Sequence, residues 1–165
     1  MGTPLEIYSA FQQRLQTQDY AQLADVVDLQ GYTENCLGLT GWTTGFEVAL
    51  QNFARNILAP FGDLQFTTED VIEGSDALTI RNRVEATHNG TFLGIPATGR
   101  RIAWDFIAMV HIKDGRVAGQ WIQFDLWGIH QQLTSPEAEP PTTRTAESAL
   151  AWAQSAALTA NLARQ

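Results

Sequence analysis

Cysteine is nearly absent from this sequence: Cys36 stands alone among 165 residues. An intramolecular disulfide is therefore excluded, and no thiolate cluster can hold a metal. Histidine is scarce too. His88, His111 and His130 lie 23 and 19 residues apart, without the His-x-x-x-His spacing that sets two imidazoles on one helix face, so no metal site is expected. Positive charge is also in short supply, with ten Lys and Arg against 18 Asp and Glu and a net charge of -8. That balance repels phosphate backbones and anionic bilayers, which argues against nucleic acid and membrane as partners. The sequence holds no run of about 18 apolar residues that could span a bilayer. Residues 1–6 have neither a basic n-region nor an apolar h-region. A cytoplasmic protein is the expectation.

What is present is an ordinary globular composition, 44% hydrophobic and 17% charged, enough for one full-sized core. Thr3-Pro4-Leu5-Glu6 forms a capping box with proline at the first helical position, and Ile7, Tyr8, Phe11 and Leu15 follow at helical spacing. A short helix is expected to restart at Asp19. A second capping box, Thr44-Gly45-Phe46-Glu47, opens a helix carrying Leu50, Phe53 and Ile57 up to Pro60. From about residue 64 the period changes to two. Strands are expected over residues 64–73, 77–88, 101–112 and 116–127, the last two joined by the hairpin signal Asp114-Gly115. In the second strand Leu78, Ile80, Val84 and Ala86 share one face, while Arg81, Arg83 and Glu85 share the other. Helices first and an antiparallel meander second give an α+β domain over residues 1–133. A proline-bearing linker, 134–146, and an Ala-rich C-terminal helix, 147–165, complete the expected organisation.

The stretch Thr87-His88-Asn89-Gly90-Thr91-Phe92-Leu93-Gly94-Ile95-Pro96-Ala97-Thr98-Gly99-Arg100 resembles a signature of the SnoaL-like polyketide cyclases. It is followed in the expected order by Asp114-Gly115-Arg116-Val117, Trp121, Asp125 and Gly128-Ile129-His130-Gln131-Gln132-Leu133. The resemblance covers roughly residues 5–133. It implies a nuclear transport factor 2-like cone, with N-terminal helices packed on a curved, mostly antiparallel sheet around one pocket. It also implies a cofactor-independent intramolecular aldol condensation that closes a ring in a polyketide-type ester.

Asp125 is the first candidate for the chemistry. With strict alternation it shares a face with Val117, Gly119, Trp121, Gln123 and Trp127, where loss of water beside tryptophan would raise its pKa toward that of a general base. The plainer alternative is a strand-end aspartate bonded to a loop amide. His111 resembles the family's active-site histidine, and its placement turns on the hairpin. A two-residue Asp114-Gly115 loop sets Trp104 opposite Asp125 and turns His111 away. A three-residue loop with a glycine bulge brings His111, Ile107 and Asp105 to the Asp125 face, and is favoured here. A surface histidine at a strand end is the competing assignment. Asn35 stands where the family often has a polar pocket residue, or else in a turn. His88, in register with Leu78 and Ile80, reads more readily as a core histidine than as a catalytic one. Trp121, Gln123, Trp127, Trp104 and Asp105 complete the expected substrate-binding set, with tryptophan faces suited to a planar ring.

Two other function classes fit the same residues. Epoxide hydrolysis or cofactorless oxygenation is hosted by similar folds, and Asp105 with Asp125 would give the hydrolase its carboxylate pair, although Arg81 and Arg83 face outward. A non-catalytic binder of a hydrophobic small molecule is the third. The glycines of residues 90–99 do not follow a strand and open a helix as a dinucleotide site requires, so no cofactor is expected. A homodimer is expected, because Ile122, Phe124 and Leu126 put a second apolar face on the last strand that needs cover.

Overall fold

The computed structural model describes residues 2–17 and 20–135. The expected C-terminal helix, and the linker beyond Ser135, lie outside the described residues. Helix α1 (Pro4–Gln16) starts at the anticipated capping box, with Thr3 accepting from the Glu6 amide and Glu6 reaching back to the Thr3 amide. The restart after it is a 3₁₀ segment, Tyr20–Asp25. Two short strands follow, β1 (Thr33–Leu37) and β2 (Gly41–Thr44), neither of which the alternation announces. Helix α2 (Phe46–Phe53) opens from Gly45 at φ 86° with no side-chain cap, so the second expected capping box does not form. The helix ends in a π-helical turn, Ala54–Leu58.

Strands β3 (Phe61–Glu73), β4 (Ala77–His88), β5 (Arg101–Lys113) and β6 (Arg116–Phe124) are the expected meander. The six strands form one sheet in the order β2-β1-β6-β5-β4-β3. All neighbours are antiparallel except β1 and β6, which run parallel. That junction is close: a Cβ at Gly119 would stand 2.3 Å from the Thr33 carbonyl oxygen, so glycine lets β1 dock here.

The β5–β6 hairpin corrects the favoured turn. Asp114 (φ 53°) and Gly115 (φ 73°) form a two-residue loop, with Lys113 paired to Arg116 and Ile112 to Val117. The bulge comes one step later, where Ala118 is skipped and His111 pairs with Gly119. Val117 therefore packs into the core, while Gly119, Trp121 and Gln123 turn to the opposite face from it. Strand β6 also ends earlier than expected. Residues 126–134 form helix α3 (Leu126–Thr134), whose first two residues fall within the expected strand 116–127. Gln132 then takes over the pairing that β6 gives up: its side-chain amide donates to the Ala103 carbonyl at 2.8 Å and accepts the Ala103 N–H at 3.0 Å.

The core has two clusters on the inner face of the sheet. In one, Tyr8, Phe11, Leu23 and Phe46 from the N-terminal segments pack on Leu78, Ile80, Ala108 and Val110. In the other, Ile129 and Leu133 of α3 and Phe92 of the β4–β5 loop close over Val84, Ala86, Ile102 and Trp104. The apolar face expected for β4 is thus the inner face.

Candidate functional site

Between the two clusters lies a cavity of about 390 Å³, within the range of small-molecule sites. Phe11, Phe46 and Phe53 line it from the helices, and Trp104, Phe106 and Phe124 from the sheet. Apolar lining of this kind favours a flat hydrophobic ligand.

Glu34 is the one carboxylate among the described lining residues, and no His, Lys or Arg joins it. It is 8% exposed. Strand β1 places it beside Gln120 of β6 in the parallel register. Its Oε2 accepts from the Tyr32 hydroxyl at 3.0 Å and from Gln120 Nε2 at 2.9 Å. No hydrogen bond from the described residues reaches Oε1. Tyr32 is itself fixed edge-on against Phe46, with ring centroids 5.2 Å apart. Burial, reinforced by the charge of Glu34, holds the Tyr32 hydroxyl well above its ordinary pKa, so it stays a donor. Burial likewise pushes Tyr8, whose hydroxyl accepts from Gln12, upward, and the Cys36 thiol up to about 11. Cys36 lines the cavity as an inert thiol, not as a nucleophile. Among the described residues no group of His, Cys, Asp or Glu gathers as a metal site would require.

The family model for SnoaL-like polyketide cyclases matches residues 5–133. The chain belongs to the SnoaL-like polyketide cyclase family. Solved structures agree on the fold. IdmH of Streptomyces antibioticus, a candidate polyketide cyclase, is 21% identical, with a TM-score of 0.68 over 80% of this chain and 99% of that one. A candidate SnoaL-like polyketide cyclase from Jannaschia sp. CCS1 is 18% identical, with a TM-score of 0.66 over 79% and 94% of the two chains. A nuclear transport factor 2-like protein of Burkholderia thailandensis has 14% identity and a TM-score of 0.66, over 82% of this chain and all of its own. No curated protein matches the sequence.

In this SnoaL-like chain the residues expected at the site are mostly elsewhere. Trp104 lines the cavity. Asp125 does not: it is the N-cap of α3, where its Oδ1 accepts the Gly128 amide at 2.8 Å. This is close to the plainer alternative named above, a backbone-bonded aspartate at the strand end, except that the amide belongs to the first turn of a helix and not to a loop. His111, Asp105, Trp121 and Gln123 share a face, as the bulged register required, but it is the outer face of the sheet. Asp105 there lies 3.3 Å from Arg83 and 3.6 Å from Arg81, so the carboxylate pair drawn for a hydrolase is not in the cavity. Trp127 is exposed on α3 and stacks on His130. Asn35 is buried on the outer side of β1, in the row Trp42, Asn35, Trp121, where the two indoles meet edge to face at 5.6 Å. His88 is a core histidine. Its Nδ1 accepts the Thr98 amide at 3.3 Å and lies 3.0 Å from the Thr98 hydroxyl, and burial lowers its pKa.

Glu34, Gln120, Tyr32, Thr68 and Asn82, which line the cavity together with the polar side chains of Gln12, Thr40 and Asn52, were missed. One signal was available: Tyr32, Glu34 and Cys36 alternate through the stretch that had yielded Asn35.

Proposed function

We propose that this protein closes a carbon ring by intramolecular aldol condensation of a polyketide-type ester, with Glu34 as the proton acceptor. The observation that carries the reading is the one carboxylate among the described residues of an apolar, aromatic cavity, fixed through one oxygen by Tyr32 and Gln120. The unbonded oxygen, Oε1, would take a proton from the carbon between two substrate carbonyls. The enolate then attacks a second carbonyl carbon, a C–C bond forms, and the Glu34 carboxyl returns the proton to the new alkoxide. Conjugation across both carbonyls delocalises the enolate, so this chemistry needs no metal or Schiff base.

Glu34→Gln tests it. The amide oxygen of glutamine can accept both the Tyr32 and Gln120 bonds, so fold and cavity should persist while the base is lost. Turnover of an aromatic polyketide methyl ester, followed by absorbance of the closed ring, should fall about 10²–10⁴-fold. Binding of a planar aromatic ester should change little. A variant that turns over at the wild-type rate refutes the assignment, and a wild type that binds without turnover favours a capture protein.

The surface that best suits the expected dimer differs from the one the sequence suggested. Ile122, Phe124 and Leu126 are partly buried on the inner side, whereas Trp42 (65% exposed), Trp121 (45%), Ile107 (48%) and Met109 (43%) lie on the outer face. A second copy packed on that face is our reading of how it is covered.

A further inference from the structure

The cavity holds a second polar station that the acid–base chemistry does not use. Thr68 of β3 and Asn82 of β4 are cross-strand partners, and both line the cavity. Thr68 Oγ1 donates to Asn82 Oδ1 at 2.7 Å. That bond engages the amide oxygen and leaves Nδ2 as the free donor. Nδ2 has no partner among the described residues, and the residue as a whole is only 5% exposed. An amide N–H lining a largely apolar cavity calls for an acceptor, and the described residues supply none.

The station stands apart from Glu34. Asn82 pairs with Phe106 and Phe106 with Phe124 across the sheet, whereas Glu34 pairs with Gln120. Three strand spacings separate the two groups, and the four positions from Gln120 to Phe124 offset them by about 13 Å along the strands. Phe106, Ile122 and Phe124 form the apolar floor between them.

We propose that Asn82, oriented by Thr68, is the distal anchor of the substrate. It donates to an oxygen acceptor, of the carbonyl kind, at the far end of an elongated aromatic ligand whose reacting end lies at Glu34. The station donates but offers no charge, so it selects an uncharged acceptor over a hydrocarbon end of the same shape. The proposal rests on the cavity being the substrate site, as argued above.

The test uses two probes of nearly equal shape, methyl 4′-acetylbiphenyl-4-carboxylate and methyl 4′-ethylbiphenyl-4-carboxylate, which differ in one carbonyl oxygen. Their Kd values are measured by calorimetry on the full chain. The wild type should favour the acetyl probe about three- to tenfold, the worth of one neutral hydrogen bond. Asn82→Leu should bring the ratio to about one. Asn82→Asp keeps the Thr68 bond and the volume but replaces the donor with a repelling acceptor, so it should reverse the preference. It also serves if the leucine variant fails to fold. Glu34→Gln should leave the ratio as in the wild type. No preference in the wild type, or an unchanged preference in a folded Asn82 variant, overturns the proposal. Failure of the Glu34 mechanism appears in turnover and not in this ratio, so the two readings fail separately.

Discussion

Asp125→Asn separates a capping carboxylate from a catalytic one. Asp125 immediately precedes α3, and its Oδ1 meets the Gly128 amide, the third helical N–H, at 2.8 Å. Asparagine is about as good an N-cap and keeps that acceptor, so the substitution should lose only the attraction of a negative charge for the helix start, about 0.3–1 kcal/mol. Alanine removes the cap as well, for a total of about 1–2 kcal/mol. Helix α3 is also held by the burial of Ile129 and Leu133 and by Gln132 on Ala103, so even the alanine variant should fold. At about 3 °C per kcal/mol for a chain of this size, melting should drop by about 1–3 °C for Asn and about 3–6 °C for Ala. Turnover of the polyketide ester should stay within about twofold of wild type for Asn. A general base would behave in the opposite way, with an unchanged melting point and a loss of about 10²–10⁴-fold. That second pattern would refute the placement of the chemistry at Glu34.

Two more outcomes follow from buried and exposed groups. His88 is wholly buried and its pKa is lowered by burial, so the folded state binds its proton less readily than the unfolded chain, whose histidine titrates near 6.5. The stability this contributes is intact above about pH 6.5 and is lost as pH falls from there through the folded pKa, because the unfolded state gains the proton first. Urea melts at pH 7.5 and 5.0 should show a larger acid loss for the wild type than for His88→Gln, and equal losses would show that His88 is not held neutral. On the outer face, Trp121→Glu puts a charge beside Trp42, with which it makes an edge-to-face pair. Light scattering should give about twice the 18.2 kDa chain mass for the wild type and the chain mass for the variant, and a wild type that scatters as a single chain at all concentrations would rule out the dimer.

Helices α1 and α2 were legible from their 3.6 period, as were the four long strands, because each carries its own signal in the order of its residues. Which side of the last strand faces inward was not, and the reason lies in Ala118. Alternation is a count from a reference residue, and Val117, fully buried, was a natural reference for Gly119, Trp121, Gln123 and Asp125. One extra residue between Val117 and Gly119 reverses that count. Nothing in the local composition separates the outcomes, since Trp121 and Gln123 are as plausible inside as Gln120 and Ile122. The same one-residue ambiguity operates on β1, where the reading settled on Asn35 and the cavity receives Glu34 on one side of it and Cys36 on the other. The register ties the two strands together: Asn35 pairs with Trp121 and Glu34 with Gln120, so one choice of face fixes both. An aromatic-rich strand reads as two-sided, and a sheet with apolar groups on both faces loses the contrast that marks its inside. The end of β6 was hidden for a related reason. Leu126, Ile129 and Leu133 have helical spacing, and Asp125 is a good cap, but Leu126 and Trp127 also extend the alternation of the strand before them. The chain leaves the sheet there because Gln132 can satisfy Ala103 in place of a further residue of β6. That substitution depends on two residues 29 positions apart, beyond the reach of any local pattern. The exit at Asp125 thus makes its carboxylate a helix cap, where a continued strand would have carried it to the outer face beside Trp121 and Gln123.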